Sequence, residues 1–344
     1  MNVDLVLKIL GYICLGQSGA TVPWLLYAAR FEHFMLPAFA FSLLVSAVLG
    51  AGIFAYEYHQ KAQYPQILGN ISRQNFTIRE AMALLSCGWF LVAVLGALPY
   101  WFSGHFTIVE ALFENLSSIS TTGISCLPQG TRYASSLVWW HIWGQWLGGI
   151  GEIIAFVLLL ARLGSEVGNL FSAEVQGVSA ERTLSRAGKS VKTAFWLYVI
   201  ITIILSVLLF GTNLPLTTAV QAAMATISTG GFVHLQDKLF ANSSFVRELI
   251  ILVFMLIASV NFVLFYRIVL QKRWRFIKED TESKWYLSLI MVVFFLLTIN
   301  LWYTDTYDLV TSARAALFQT VSVISTTGFA TADLGCCLAE TVAG

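Results

Sequence analysis

"SVISTTGFATAD" occupies residues 322–333, and two similar stretches lie upstream: "SSISTTGISC" at 117–126 and "MATISTGGFV" at 224–233. Each holds the string I-S-T-[T/G]-G. Hydroxyl and glycine residues make a poor lipid-facing helix, because hydrocarbon offers no partner to the backbone groups that such a stretch exposes. Irregular backbone at membrane depth must be buried in protein or line a water-filled cavity. A polar string repeated three times therefore matters only if the rest of the chain is membrane-embedded.

It is strongly apolar. Of 344 residues, 57% are hydrophobic and 11% charged, with a mean hydropathy of +0.74. A soluble domain carries about 25% charged residues. Runs such as "WLYVIITIILSVLLF" (196–210) and "LIILVFMLIASVNFVLF" (249–265) cover most of a bilayer crossing, which takes about 20 apolar residues. The fold class is all-α, a polytopic membrane protein. A β-barrel would instead show alternating segments of about ten residues. No small-residue cleavage site follows the first span, so it is read as retained. The net charge of +1 gives no electrostatic case for nucleic acid. The five cysteines, Cys14, Cys87, Cys126, Cys336 and Cys337, contain no C-x-x-C pair and are read as small apolar residues.

Seven long apolar segments lie at about 4–29, 34–57, 79–103, 135–163, 192–211, 245–267 and 285–304. Three shorter ones, at about 107–119, 215–227 and 309–324, each end in an I-S-T string. Charge sets the topology. With the amino terminus in the cytoplasm and the short segments re-entrant from outside, fifteen of the 20 lysines and arginines fall on the cytoplasmic side. The other five, Arg30, Arg132, Lys238, Arg247 and Arg314, fall outside. This is a clear positive-inside bias. Full crossing by the short segments would scatter the basic loops over both faces.

The result is a repeat of long helix, short helix, string and long helix. Its glycines, Gly123, Gly231 and Gly328, are spaced by 108 and 97 residues, a period that suits a membrane module better than a solenoid. The expected divisions are an extra two-helix segment at 1–58, repeat one at 77–163, a basic linker at 164–191, repeat two at 192–270, a basic loop at 271–284, a partial repeat three at 285–333 and a divergent tail at 334–344.

A short helix that ends in Ser, Thr and Gly is suited to cations. Main-chain carbonyls can replace a hydration shell, glycine supplies the backbone angles that aim them, and the helix C-terminus carries partial negative charge. The alternative for any single string is a small-residue helix contact. Three strings, each after a short helix, favour the pore.

These residues resemble the Trk/Ktr/HKT potassium transporter superfamily, whose members carry four helix–pore-loop–helix repeats with a glycine in each filter. Further matching stretches are "QWLGGIG" (145–151), "LFSAEVQG" (170–177), "VNFVLFYR" (260–267), "SKWYL" (283–287) and, most specific, "STTGFATAD" (325–333). The two extra amino-terminal spans resemble the Trk branch, of the TrkH type. The resemblance implies potassium-binding filter residues at Thr121, Thr122 and Gly123; Thr229, Gly230 and Gly231; and Thr326, Thr327 and Gly328, acting through main-chain carbonyls. It implies K⁺ uptake across the inner membrane, with K⁺ as transported ion and no cofactor. It further implies a homodimer in membrane lipid and a cytoplasmic nucleotide-binding regulatory subunit of the TrkA kind. The family pattern would continue past Asp333 into a closing helix and a fourth repeat, whereas this sequence reads "LGCCLAETVAG" (334–344). The alternatives carried forward are a truncated, non-conducting fragment and one part of a split transporter.

Other residues keep two readings. Glu110 and Glu114, at i and i+4 on the first short helix, would attract cations at the outer mouth or form an ordinary hydrogen-bonded face. Asp333 would sit in the outer vestibule or be plain surface. Asn261 would line the pore or bond a neighbouring helix. Gly148, Gly149 and Gly151 would allow close helix packing or a hinge. "QKRWRFIK" (271–278) would be a positive-inside anchor or touch a cytoplasmic regulator. The five histidines have no metal-ligand partner at helical spacing. No catalytic triad, carboxylate pair or P-loop is present, so an integral-membrane enzyme is disfavoured.

Overall fold

A computed structural model describes residues 3–63, 78–126, 134–171, 180–233, 239, 245–259, 281–304 and 308–331. Among the described residues the regular elements are all helical: α1 (Val3–Phe31), a short 3₁₀ turn (His33–Met35), α2 (Leu36–Gln63), α3 (Ile78–Phe102), α4 (Ile108–Ile119), α5 (Ser135–Phe171), α6 (Ala180–Phe210), α7 (Leu216–Ile227), α8 (Phe245–Ser259), α9 (Thr281–Tyr303) and α10 (Leu309–Ile324). Five helical stretches among them are long and apolar enough to cross a membrane: Val3–Phe31, His33–Tyr56, Arg79–Phe102, Val191–Phe210 and Lys284–Tyr303.

The three short apolar segments form short helices at the expected places. The stretch expected as a basic linker, 164–191, is partly helical. Helix α5 runs on to Phe171 and α6 starts at Ala180, so helix occupies much of that stretch. Hydropathy marks where a chain can meet lipid, whereas helix propensity continues through charged residues such as Glu, Lys and Arg. Residues 260–267 of the expected sixth span lie outside the described residues, as do Asn261, the 271–278 basic stretch, His234 and Asp333.

The chain divides into two compact units. The first contains residues 1–120, 124–147 and 151–192; the second contains Thr121–Gly123, Gly148–Ile150 and 193–344.

In the first unit α1 and α2 pack as an antiparallel pair against α3, and α4 packs on α3. Glycine permits the close α1–α2 approach: Gly50 lies against the Leu15 side chain and the Gly11 carbonyl. An aromatic and small-residue core joins α1 and α2 to repeat one through Phe39, Ala97, Tyr100, Ala111 and Trp140. Trp24 stacks on Trp139 at 5.5 Å. Glu32, at the α1–α2 turn, accepts from Ser135 N–H at 2.7 Å, Ser136 N–H at 3.0 Å and Ser136 Oγ at 2.6 Å. It thereby caps α5, whose first N–H groups have no partner within the helix.

In the second unit α9 packs on α10, and α8 contacts both α7 and α10. The ends of α8 are tied by polar contacts. Buried Arg247 donates to the carbonyls of Leu239 and Thr212 and to Thr212 Oγ1. Glu248 pairs with Arg314 of α10 at 2.6 Å, and Ser259 Oγ lies 2.6 Å from Tyr286 Oη of α9. Much of the apolar surface of α9 stays exposed, with Trp285 73% and Leu296 63% accessible. Exposed faces of this kind suit lipid contact.

Candidate filter strings

Each short helix stops in the same way. A serine ends it (Ser120, Ser228, Ser325). The next residue is a threonine in the left-handed region: Thr121 at φ 54, Thr229 at φ 54 and Thr326 at φ 61. Two residues on comes a left-handed glycine: Gly123 at φ 75, Gly231 at φ 63 and Gly328 at φ 80. A β-branched residue at positive φ is a conformational outlier costing about 1–2 kcal/mol. Three at equivalent positions mark a backbone shape held by its surroundings, as strained backbone at functional sites generally is. The glycines were legible from sequence as carriers of positive φ; the threonines were not, because threonine propensity argues against it. Gly230, which replaces threonine in the second string, does not take positive φ.

Hydrogen bonds account for the shape. Thr229 N–H donates to Thr226 O, and Gly230 N–H to Ala225 O at 3.0 Å. Thr326 N–H donates to Val323 O, and Thr327 N–H to Ser322 O at 2.9 Å. This is the Schellman arrangement of a helix C-terminus. It extends one residue further, since Gly231 and Gly328 N–H also reach Ala225 O and Ser322 O, both at 3.2 Å. In a trans peptide the carbonyl points opposite to the following N–H. With these N–H groups turned back toward the helix, the carbonyls of Thr229, Gly230, Thr326 and Thr327 point away from it. The second and third strings are adjacent: a Cβ on Gly231 would overlap the Thr327 carbonyl oxygen.

Side chains behind the strings reinforce the turn. Ser322 Oγ donates to Phe329 O at 2.6 Å, and Ser117 Oγ makes the matching bond to Ile124 O. The second string has Ala225 there. Ser325 Oγ lies 2.9 Å from Thr327 Oγ1. Gly149 backs onto Ser228, with the Ser228 Cα 3.3 Å from where a Cβ would sit; Gly151 has ordinary contact with Trp89.

By their contacts Thr121–Gly123 group with the second unit, which also holds the other two strings. Thr122 and Gly328 are exposed, whereas Gly230 and Gly231 are buried.

The two glutamates of α4 part company. Glu110 belongs to a capping box: Thr107 N–H donates to it at 2.8 Å, and Thr107 Oγ1 both donates to its carboxylate and accepts from its N–H. Those Thr107 donors hold its carboxyl below the usual carboxylate range. Glu114 is fully buried beside His141, so it does not face the outer mouth as a cation attractor. No group of three or more His, Cys, Asp or Glu able to hold a metal occurs among the described residues.

Residues 63–341 match the family model described as TrkH, cation transport protein. The Trk system potassium uptake protein TrkH of Halomonas elongata is 24% identical over 97% of this chain and 67% of its own length. An uncharacterized cation transporter of Methanocaldococcus jannaschii is 27% identical over 76% of this chain and 52% of its own. Among solved structures, the potassium transporter TrkH from Vibrio parahaemolyticus matches with a TM-score of 0.79 at 21% identity, covering 97% of this chain and 67% of that one. The chain thus spans between about half and two thirds of the length of these relatives.

Proposed function

We propose, for a chain that belongs to the TrkH family of cation transport proteins, a part in K⁺ uptake as the membrane subunit of a Trk-type system. The family is one of transporters, not enzymes. The observation that carries the reading is the shared turn at the three strings. Left-handed threonine and glycine recur in all three strings, and in the second and third the string N–H groups turn back into the helix end, so carbonyls face the other way. Carbonyl oxygens arranged around an axis substitute for the water shell of a cation, and the helix C-termini add partial negative charge. In this reading Thr121, Thr122 and Gly123; Thr229, Gly230 and Gly231; and Thr326, Thr327 and Gly328 form successive walls of one filter, and K⁺ passes as substrate. Homologues named as potassium uptake proteins support the choice of ion.

The cellular setting follows from the same reading. The protein sits in the inner membrane with its amino terminus in the cytoplasm, supported by the uneven distribution of lysine and arginine. It works as a homodimer under a TrkA-like nucleotide-binding subunit.

The test is growth at low K⁺ of a bacterium lacking its own uptake systems. It compares this chain as it stands with the chain joined to the carboxyl-terminal third of the Halomonas relative. Rescue by the joined protein, lost on Gly231→Ala, is expected. Rescue unaffected by alanine at Gly123, Gly231 and Gly328 would falsify the filter assignment.

A further inference from the structure

The first string has an anchor built on a residue type that the matching positions of the other two do not carry. Glu114 lies on α4, six residues before the terminal Ser120. The positions six before Ser228 and Ser325 hold Ala222 and Gln319. The Glu114 carboxylate is buried, with no exposed side-chain surface, and meets two hydrogen-bond donors and the His141 ring. Ser125 Oγ donates to Oε1 at 2.7 Å and Cys126 N–H to Oε2 at 2.9 Å. His141 Nδ1 of α5 lies 2.9 Å from Oε1. Ser118 Oγ, one turn along α4, donates to the His141 carbonyl at 2.6 Å and so fixes the histidine's backbone to the same helix.

A buried carboxylate is costly unless its lone pairs are met, and charge-assisted bonds are about twice as strong as neutral ones. The arrangement therefore localises its donors strongly. These, Ser125 and Cys126, are the second and third residues after Gly123. The residue between, Ile124, is held through its carbonyl by Ser117 of the same helix. Three successive residues leaving the string are thus pinned to the helix that enters it. Both ends of Thr121–Gly123 are fixed to one rigid element, which restricts how its peptide planes can rotate.

We propose that Glu114 is a positioning residue of the first filter string: its carboxylate clamps the exit segment to α4 and α5 and thereby sets the direction of the Thr121–Gly123 carbonyls. The filter then has unequal walls, with a charge-clamped exit in repeat one, an alanine in repeat two and a neutral amide in repeat three. This inference rests on reading the strings as a cation filter, and its test separates the two ideas.

The Cys126 N–H donates to Glu114 Oε2 and reports on the clamp directly. The full chain is placed in lipid nanodiscs, and the hydrogen-exchange rate of the Cys126 amide is measured in choline and in K⁺. Loss of a hydrogen bond to a charged group raises the open population about tenfold, so Glu114→Ala is expected to speed exchange by about that factor. Glu114→Gln keeps one acceptor oxygen and is expected to speed it by less. Ala222→Ser, in the second repeat, is expected to leave the rate unchanged. A role confined to overall stability would lower the melting temperature of Glu114→Ala and leave its Cys126 exchange rate within twofold of the parent, which would overturn the proposal. If the alanine variant does not fold, Glu114→Gln decides: faster exchange supports the clamp, a parental rate overturns it. Failure of K⁺ to slow exchange in the parent would count against the cation filter while leaving the clamp result standing.

Discussion

The carbonyl oxygen of Thr327 occupies the space that a side chain on Gly231 would need. The second and third strings therefore meet backbone to backbone, and the glycine is required twice over, by its φ of 63 and by its neighbour. Gly328 has φ 80 but nothing within 4 Å of its would-be Cβ.

The two glycines are thus expected to respond unequally to alanine. Gly328→Ala meets only the left-handed penalty of about 1–2 kcal/mol. Gly231→Ala adds a clash with main-chain atoms, which cannot rotate aside. The check is rubidium uptake and its competition by Na⁺ in the joined protein. Gly231→Ala abolishes uptake, while Gly328→Ala retains it with weaker discrimination; equal loss in both would show that the contact with Thr327 is immaterial.

Ser322→Ala removes the bond to the Phe329 carbonyl behind the third string. A buried acceptor left unmet costs about 1–3 kcal/mol. Denaturation of the variant in mixed micelles is expected to show a loss in that range. Ala225, already lacking a hydroxyl at the matching place, is expected to tolerate Ala225→Gly with a smaller loss there than Ser322→Ala causes.

Glu32→Ala uncaps α5 from the α1–α2 turn, removing acceptors for two backbone N–H groups and one hydroxyl. Loss of a cap costs about 1–2 kcal/mol. Hydrogen exchange at Ser135 and Ser136 is expected to accelerate about tenfold, with the amides of α9 unaffected. Uniform acceleration in both places would mean that the contact acts globally instead.

The capping box at Thr107 gives a pH expectation with a definite sign. The Glu110 carboxyl is held below its usual range by Thr107, so its ionised form contributes to the fold. That contribution is fully present above the ordinary glutamate range and is lost as pH falls through the lowered folded value. Amide protection at the start of α4 is therefore expected to stay constant from pH 8 to 5, referred to intrinsic exchange rates, and to fall only below about 4. In Thr107→Ala the same loss is expected to begin at higher pH. A drop near pH 6 in the parent would point to a histidine instead.

Much of this was legible in the chain. Short segments at 107–119, 215–227 and 309–324 become helices within one residue of those bounds, because serine, threonine and glycine stop a helix locally. The box at Thr107–Glu110 left its signal in the sequence, T-x-x-E ahead of an apolar run, but Glu110 was not read as a cap there. The partnership of Glu114 with His141 was not legible. It joins two helices 27 residues apart in sequence, and helical spacing places Glu114 beside Glu110 with equal ease. Left-handed threonine escaped for another reason: the local preference of the residue opposes it, and only the doubly bonded carbonyls of Ala225 and Ser322 explain why it persists.

The cap that Glu32 places on α5 also bears on the order of biosynthesis. The glutamate leaves the ribosome 103 residues ahead of Ser135. At about 5–20 residues per second that is a wait of roughly 5–20 s. Throughout it the paired first helices must stand in the bilayer with that carboxylate unengaged. Their own contacts, Gly50 on Leu15 and Ser18 Oγ on the Leu43 carbonyl, are complete before the rest of the chain exists. The first hairpin is in this sense a template that the incoming repeat docks onto, and its turn is where that docking is registered.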